Sequence, residues 1–149
     1  MSIISPETVL LNAQAASKEE AIELAGRLLV EAGYVAPPYV KGMLAREQTM
    51  STYIGNGVAI PHGQFDDKAS IKQTGISVVQ VPAGVVWDED ETAYLIIGIA
   101  ATADEHVGIL TNLAEVLEEP EEAQRLVEAN DPHLIIERLS RPHAESEPA

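Results

Sequence analysis

Apolar residues recur at helical spacing through Ala21, Ile22, Ala25, Leu28, Leu29 and Ala32, and the run stops at Gly33. Ser17 and Glu20 stand ahead of it at capping-box spacing, so the pattern predicts an amphipathic helix. Pro37-Pro38 restarts the chain, and Val40, Met43 and Leu44 predict a second helix to about Glu47, with Arg46 in its last turn. Ile76 to Val81 is rich in β-branched residues and predicts a strand, turned by Pro82-Ala83-Gly84-Val85. Thr92 to Ala101 is apolar at nearly every position, as expected of a central strand covered on both faces. Val107, Leu110, Leu113, Ala114 and Leu117 mark the buried stripe of a helix that Asp104 can cap, with His106 in its first turn. Two further helices open at Pro120 and Pro132, burying Ala123, Leu126 and Val127, then Leu134, Ile135 and Leu139.

Val9-Leu10-Leu11 suits a strand or a packed opening segment, while Gln48 to Ile54 and Gln64 to Gln73 read as loops, as does Asp88-Glu89-Asp90-Glu91. From Ser140 the chain is polar, has two prolines and no period, so disorder is expected over 140–149. Helices gathered around at least two strongly apolar strands give the fold class: a single-domain α/β sandwich. Its 149 residues suit one core.

The formal net charge of −15, from 24 acidic and 9 basic residues, repels phosphate backbones and anionic lipid, so neither nucleic acid nor membrane insertion is expected. The longest apolar run, Tyr94 to Ala101, is too short to cross a bilayer, and Met1 to Pro6 lacks the basic start of a signal peptide. Without cysteine there is no thiolate chemistry or disulfide framework, which fits a cytoplasmic protein.

The candidate chemistry centres on Gly55-Asn56-Gly57-Val58-Ala59-Ile60-Pro61-His62-Gly63. Gly55 and Gly57 permit positive φ, and Pro61 pushes Ile60 towards extended backbone, so His62 should be held stiffly at a strand end as an exposed nucleophile. Gly63 leaves room beside the imidazole for a bulky group or a partner's side chain. A turn with an incidental histidine is the plainer alternative. Arg46 can equally be a helix terminator, since a cation in the last turn meets exposed carbonyls and the negative end of the dipole. His106, at a helix start that disfavours its cationic form, can donate one N–H, or can simply bond a local backbone group. His133 and His143 receive no role.

Gly-Asn-Gly-x-Ala-Ile-Pro-His-Gly resembles the phosphorylation-site segment of enzyme IIA components of the mannitol/fructose class, members of the bacterial phosphoenolpyruvate-dependent sugar phosphotransferase system. The resemblance continues in Leu44-Ala45-Arg46-Glu47, Val81 to Val85, Gly98 to Ala101, and Asp104-Glu105-His106 with Leu110 to Leu113. It covers residues 3 to 139 and leans to the mannitol branch. It implies a mixed β-sheet with helices on both sides, one EIIA type-2 domain over 1–139, and no metal or organic cofactor. His62 would be the phosphoryl acceptor, forming a tele-phosphohistidine intermediate; Arg46 would compensate charge on the phosphoryl oxygens, and His106 would stabilise the group. The donor would be the histidine-containing phosphocarrier protein, and the acceptor a cysteine of the cognate enzyme IIB. Histidine suits reversible carriage, because its neutral nitrogen is nucleophilic near neutrality and the N–P bond remains transferable.

Two rival functions are set against this reading. One is a nitrogen-related regulatory enzyme IIA whose output is protein binding. The other is a metal site drawn from His62, His106, Asp66 and Asp104, for which no tight spacing motif exists. The Met1 start and polar tail suit a free-standing component rather than a piece of a permease.

Overall fold

The structure, a computed structural model, describes residues 3–101 and 103–140; of residues 65, 66, 103–107 and 140 it describes the backbone alone. The tail expected to be disordered therefore lies, from 141 onward, outside the described residues.

One strand organises the fold. Strand β5 (Glu91–Ala100) alternates between two cores: Leu95, Ile97 and Ile99 face one, Ala93, Ile96 and Ala100 the other. Leu95, Ile96, Ile97 and Ile99 are fully buried. At about 2 kcal/mol per such side chain, against about 0–1 kcal/mol for a surface ion pair, burying both faces of β5 is a dominant stabilising term. The first core is closed by α3 (Ala103–Leu117), α4 (Pro120–Val127) and α5 (Pro132–Ser140), the second by α1 (Lys18–Glu31) and α2 (Pro38–Thr49). With β1 (Val9–Leu10), β2 (Tyr53–Gly55), β3 (Val58–Ala59) and β4 (Gly75–Asp88), the sheet order is β1-β4-β5-β3-β2. Pairings β1–β4 and β3–β5 are parallel, β4–β5 and β2–β3 antiparallel, so this is a mixed sheet with helices on both sides.

The predicted helices are present, and α1 starts as its pattern requires, the Ser17 side chain accepting from the Glu20 N–H at 3.1 Å. Several local readings change, among them Leu134, expected inward but 42% exposed, while Ile135 and Leu139 are buried as expected. Pro82-Ala83-Gly84-Val85 does not end its strand: β4 continues to Asp88 with a register shift between Gln80 and Val85. Neighbouring β1 pairs only as far as Val79, so Pro82 interrupts no ladder on that side, and Gly84 takes the positive φ of 82°. The expected loop over 48–54 ends in β2, and that over 64–73 contains a 3-10 helix, Phe65–Ser70. Asp104 falls inside α3, which begins one residue earlier, rather than at its cap.

The end of α2 is tied down by a buried carboxylate that periodicity could not reveal. Glu47, 6% exposed, accepts from the Thr52 N–H (3.1 Å), the Thr52 hydroxyl (2.5 Å), the Trp87 indole N–H (3.0 Å) and the Lys18 ammonium (3.4 Å). Lys18 also reaches Asp88 at 3.2 Å. One charged group thus joins α1, α2, the β2 approach and the β4 arm. Glu47→Gln exchanges one acceptor oxygen for a donor that the indole and ammonium cannot use. It is expected to cost about 2 kcal/mol and lower the melting midpoint by roughly 5 °C, read by calorimetry. An unshifted midpoint would mean the network contributes nothing net.

Candidate functional site

The β2–β3 hairpin builds the site. At its tip Gly55, Asn56 and Gly57 all have positive φ, at 101°, 56° and 78°, which glycine adopts freely and asparagine more readily than most residues. The Asn56 amide donates to the carbonyls of Leu117 (2.8 Å) and Glu118 (3.1 Å), satisfying groups that the end of α3 cannot pair internally. Helix α3 follows β5, reverses direction and ends at this tip. Its 15 residues and the strand path from Asn56 to His62 each span about 20 Å, so the start of α3 falls at the His62 end.

Beyond β3 the chain stays extended. The Ile60 N–H bonds the Thr52 carbonyl at 3.0 Å, the Pro61 carbonyl accepts from the Ile99 N–H at 3.0 Å, and His62 makes a parallel bridge with Ile99. The backbone before His62 is thus bonded on both sides, at a strand end as expected; the expected exposure is absent, because His62 is only 9% exposed. Its Nδ1 lies 2.9 Å from the Ile60 carbonyl oxygen. A carbonyl can only accept, so Nδ1 carries the proton and the lone pair of the neutral ring is on Nε2.

Gly63 is needed for a reason other than room beside the ring. A Cβ there would stand 2.6 Å from Tyr39 Cε1 and 2.9 Å from its Cζ, so the space is already taken by the Tyr39 ring. The Tyr39 hydroxyl donates to the Ile99 carbonyl at 2.8 Å and accepts the Gly63 N–H at 3.0 Å. Burial first, with the charge of Asp67 adding and the Gly63 bond opposing, pushes its pKa up to about 12, so it remains a neutral phenol at physiological pH.

Arg46 lies half-buried in the last turn of α2, where one guanidinium N–H donates to the Met50 carbonyl at 2.7 Å. That contact is the helix-terminating role. Two further hydrogen bonds, Ile60 N–H to the Thr52 carbonyl and His62 Nδ1 to the Ile60 carbonyl, follow along the same segments of chain towards His62. His106 has its backbone in the first turn of α3, while its side chain lies outside the described residues, as do those of Asp66 and Asp104. Among the described residues no three His, Asp or Glu side chains gather as a metal site would require. His133 is exposed and bonds Asp131, whose carboxylate takes its backbone N–H at 2.9 Å.

Sequence reasoning missed Tyr39, and gave no role to Asn56 and Glu47 although both stand in the segments it singled out. Tyr39 had one available signal: a buried tyrosine needs a partner for its hydroxyl, which a reading of the Val40, Met43 and Leu44 stripe leaves out.

A histidine held by its Nδ1–H in a mixed α/β sandwich, with an arginine on the adjoining helix, describes a carrier of a small transferable group. The chain belongs to the phosphoenolpyruvate-dependent sugar phosphotransferase system EIIA 2 family, whose match spans residues 2–141. It is a phosphotransferase component of that system. The mannitol-specific phosphotransferase enzyme IIA component of Bacillus subtilis is 42% identical over 136 residues, covering 91% of this chain and 95% of that one. The multiphosphoryl transfer protein of Haemophilus influenzae is 46% identical over 128 residues, 86% of this chain but 26% of the relative, so the chain spans about a quarter of that longer protein. Enzyme IIAMTL in its complex with phosphorylated enzyme IIBMTL from Escherichia coli superposes with a TM-score of 0.85 at 39% identity, covering 91% of this chain and 95% of that one.

Proposed function

We propose that this chain carries a phosphoryl group on Nε2 of His62, taken from the phosphohistidine of the histidine-containing phosphocarrier protein and passed to a cysteine of the cognate enzyme IIB, in support of mannitol uptake. The observation that carries the proposal is the Nδ1–H bond to Ile60, which directs the ring's lone pair to Nε2. In the first step that lone pair displaces phosphorus from the donor's imidazole, whose nitrogen keeps the bonding pair. The product retains its Nδ1 proton, so the phosphorylated ring has imidazolium character, and the Ile60 carbonyl is the acceptor such a ring needs. In the second step a cysteine thiolate attacks phosphorus and His62 departs as a neutral imidazole. Nothing beyond in-line placement and compensation of oxygen charge is required.

Arg46 supplies that compensation in this reading. Its guanidinium holds the Met50 carbonyl, two residues before Thr52, whose own carbonyl accepts the Ile60 N–H two residues before His62. His106 assists from the first turn of α3, and the helix start itself favours the phosphoryl dianion. The mannitol-specific relative and the IIBMTL complex favour transport over the nitrogen-related regulatory alternative. Residues 1–139 act as one EIIA type-2 domain, with 140–149 a polar tail. Among the described residues no helix is long and apolar enough to cross a membrane, and the acidic, cysteine-free chain suits the cytoplasm. Incubating the protein with phosphoenolpyruvate, enzyme I and the phosphocarrier, and then mapping the modified residue, tests the proposal. A label that never reaches His62 overturns it.

The role given to His106 has its own test. His106→Ala is expected still to accept phosphate at His62 but to pass it on roughly tenfold more slowly, less than the loss of about 10²-fold or more seen when the main oriented donor to a developing charge is removed. His106→Gln, retaining an amide donor, should fall between. Rapid-quench transfer to enzyme IIB beside a melting curve decides: lost stability with intact rates leaves His106 a structural residue.

A further inference from the structure

In a parallel ladder one residue bonds two partners on the opposite strand, its N–H to the carbonyl before its bridge mate and its carbonyl to the N–H after. Ile99, the mate of His62, obeys the first half: its N–H meets the Pro61 carbonyl at 3.0 Å. In the second half the Gly63 N–H turns to the Tyr39 hydroxyl at 3.0 Å, and that same hydroxyl donates to the Ile99 carbonyl at 2.8 Å. A side-chain oxygen from α2 therefore stands between the two backbone groups that would close the ladder immediately after His62.

We propose that Tyr39 is a positioning residue for phosphoryl transfer, its hydroxyl serving as a one-oxygen spacer that fixes where the backbone parts from β5 and so fixes the position of His62. This deepens the proposed function and rests on His62 being the acceptor. The residues on either side of His62 are both referred to Ile99, Pro61 directly and Gly63 through the phenol. The ring's own orientation is referred to Ile60. A water molecule could bridge the same two groups but would not be anchored; Tyr39 is 3% exposed and its ring fills the space a Cβ at position 63 would need. Because the phenol stays neutral it exchanges no proton with the reaction, and its part is geometric. Arg46 lies seven residues along the same helix, about 10 Å by helical rise, so α2 refers His62 and the proposed charge-compensating side chain to one rigid body. Placement of this kind matters, because displacing a reacting group by about 1 Å can cost up to about 10²-fold in rate.

Tyr39→Phe keeps the ring and removes only the oxygen. Single-turnover transfer from the phosphocarrier to His62, and from His62 to enzyme IIB, is read by rapid quench well below each variant's own melting midpoint. Steady-state kcat and KM for the phosphocarrier and the 15N resonances of the His62 ring are read alongside. Ser77→Ala is the control: it deletes another buried hydroxyl, which bonds the Ala25 carbonyl at 2.8 Å on the α1 face. The expected result is His62 still labelled, both transfers slowed about tenfold or more with KM unchanged, and shifted ring resonances. Ser77→Ala should lose stability with neither effect. Should Tyr39→Phe fail to fold, Gly63→Ala, which displaces the ring, carries the same expectation. Wild-type rates in the folded variant, or equal slowing in Ser77→Ala, overturn the positioning role and leave the proposed function standing. Absence of label on His62 in the unaltered protein overturns the proposed function itself.

Discussion

His62→Ala is expected to end phosphoryl acceptance from the phosphocarrier entirely, the largest effect of any single substitution in this chain. No neighbouring described side chain offers a substitute. His133 is exposed at the start of α5, bonded to Asp131, and is not joined to the hairpin. The loss should be chemical rather than structural. The His62 backbone is held through Pro61 and Gly63 rather than through its ring, so Ala at this position leaves the Ile99 and Tyr39 contacts in place. Radiolabel from phosphoenolpyruvate, followed through enzyme I and the phosphocarrier, should reach the phosphocarrier and stop, while the variant melts within a few degrees of the parent. Label of the same extent on another histidine would contradict the assignment.

The second large effect is expected at Arg46. Its guanidinium spends one N–H on the Met50 carbonyl and has four more in a fixed planar fork, enough to hold two phosphoryl oxygens while keeping its helix-terminating bond. Lysine is a point charge that can serve one of these tasks well at a time. Arg46→Lys should therefore slow single-turnover transfer by about 10²-fold, the size seen when one oriented donor to a developing charge is removed. Stability should change little, since either cation suits the end of a helix. That pairing of outcomes separates the two readings of Arg46. A helix terminator predicts an unchanged rate in Arg46→Lys, and that result would remove Arg46 from the mechanism.

What was legible in the sequence follows from how far each signal reaches along the chain. Helices α1, α3, α4 and α5 carry their apolar positions within a few turns, and β5 declares itself by being apolar on both faces, so all five are readable locally. The hairpin carrying His62 was readable as glycines around a short apolar run, and its resemblance to a known segment supplied the chemistry. The contacts that make the site were not readable, because each is a pairing between distant positions with no periodic trace. Tyr39 to Gly63 spans 24 residues, Glu47 to Trp87 spans 40 and Asn56 to Leu117 spans 61. Pro82 misled for the complementary reason: proline ends a strand only where its missing N–H is wanted, and whether a neighbour wants it depends on how far β1 extends. Gly63 was correctly singled out and given the wrong occupant, since the need for a missing Cβ does not say what fills the space.

In the proposed function the Nδ1–H of His62 is committed to the Ile60 carbonyl, and the phosphoryl group therefore forms on Nε2. The most direct measurement is a long-range 1H–15N correlation spectrum of the 15N-labelled protein, recorded before and after phosphorylation by the phosphocarrier, with 31P coupling identifying the substituted nitrogen. A neutral His62 ring protonated at Nδ1 is expected beforehand, and phosphorus coupled to Nε2 of the same ring afterwards. A proton on Nε2 in the free protein, or phosphorus on Nδ1 or on any other histidine, would contradict it.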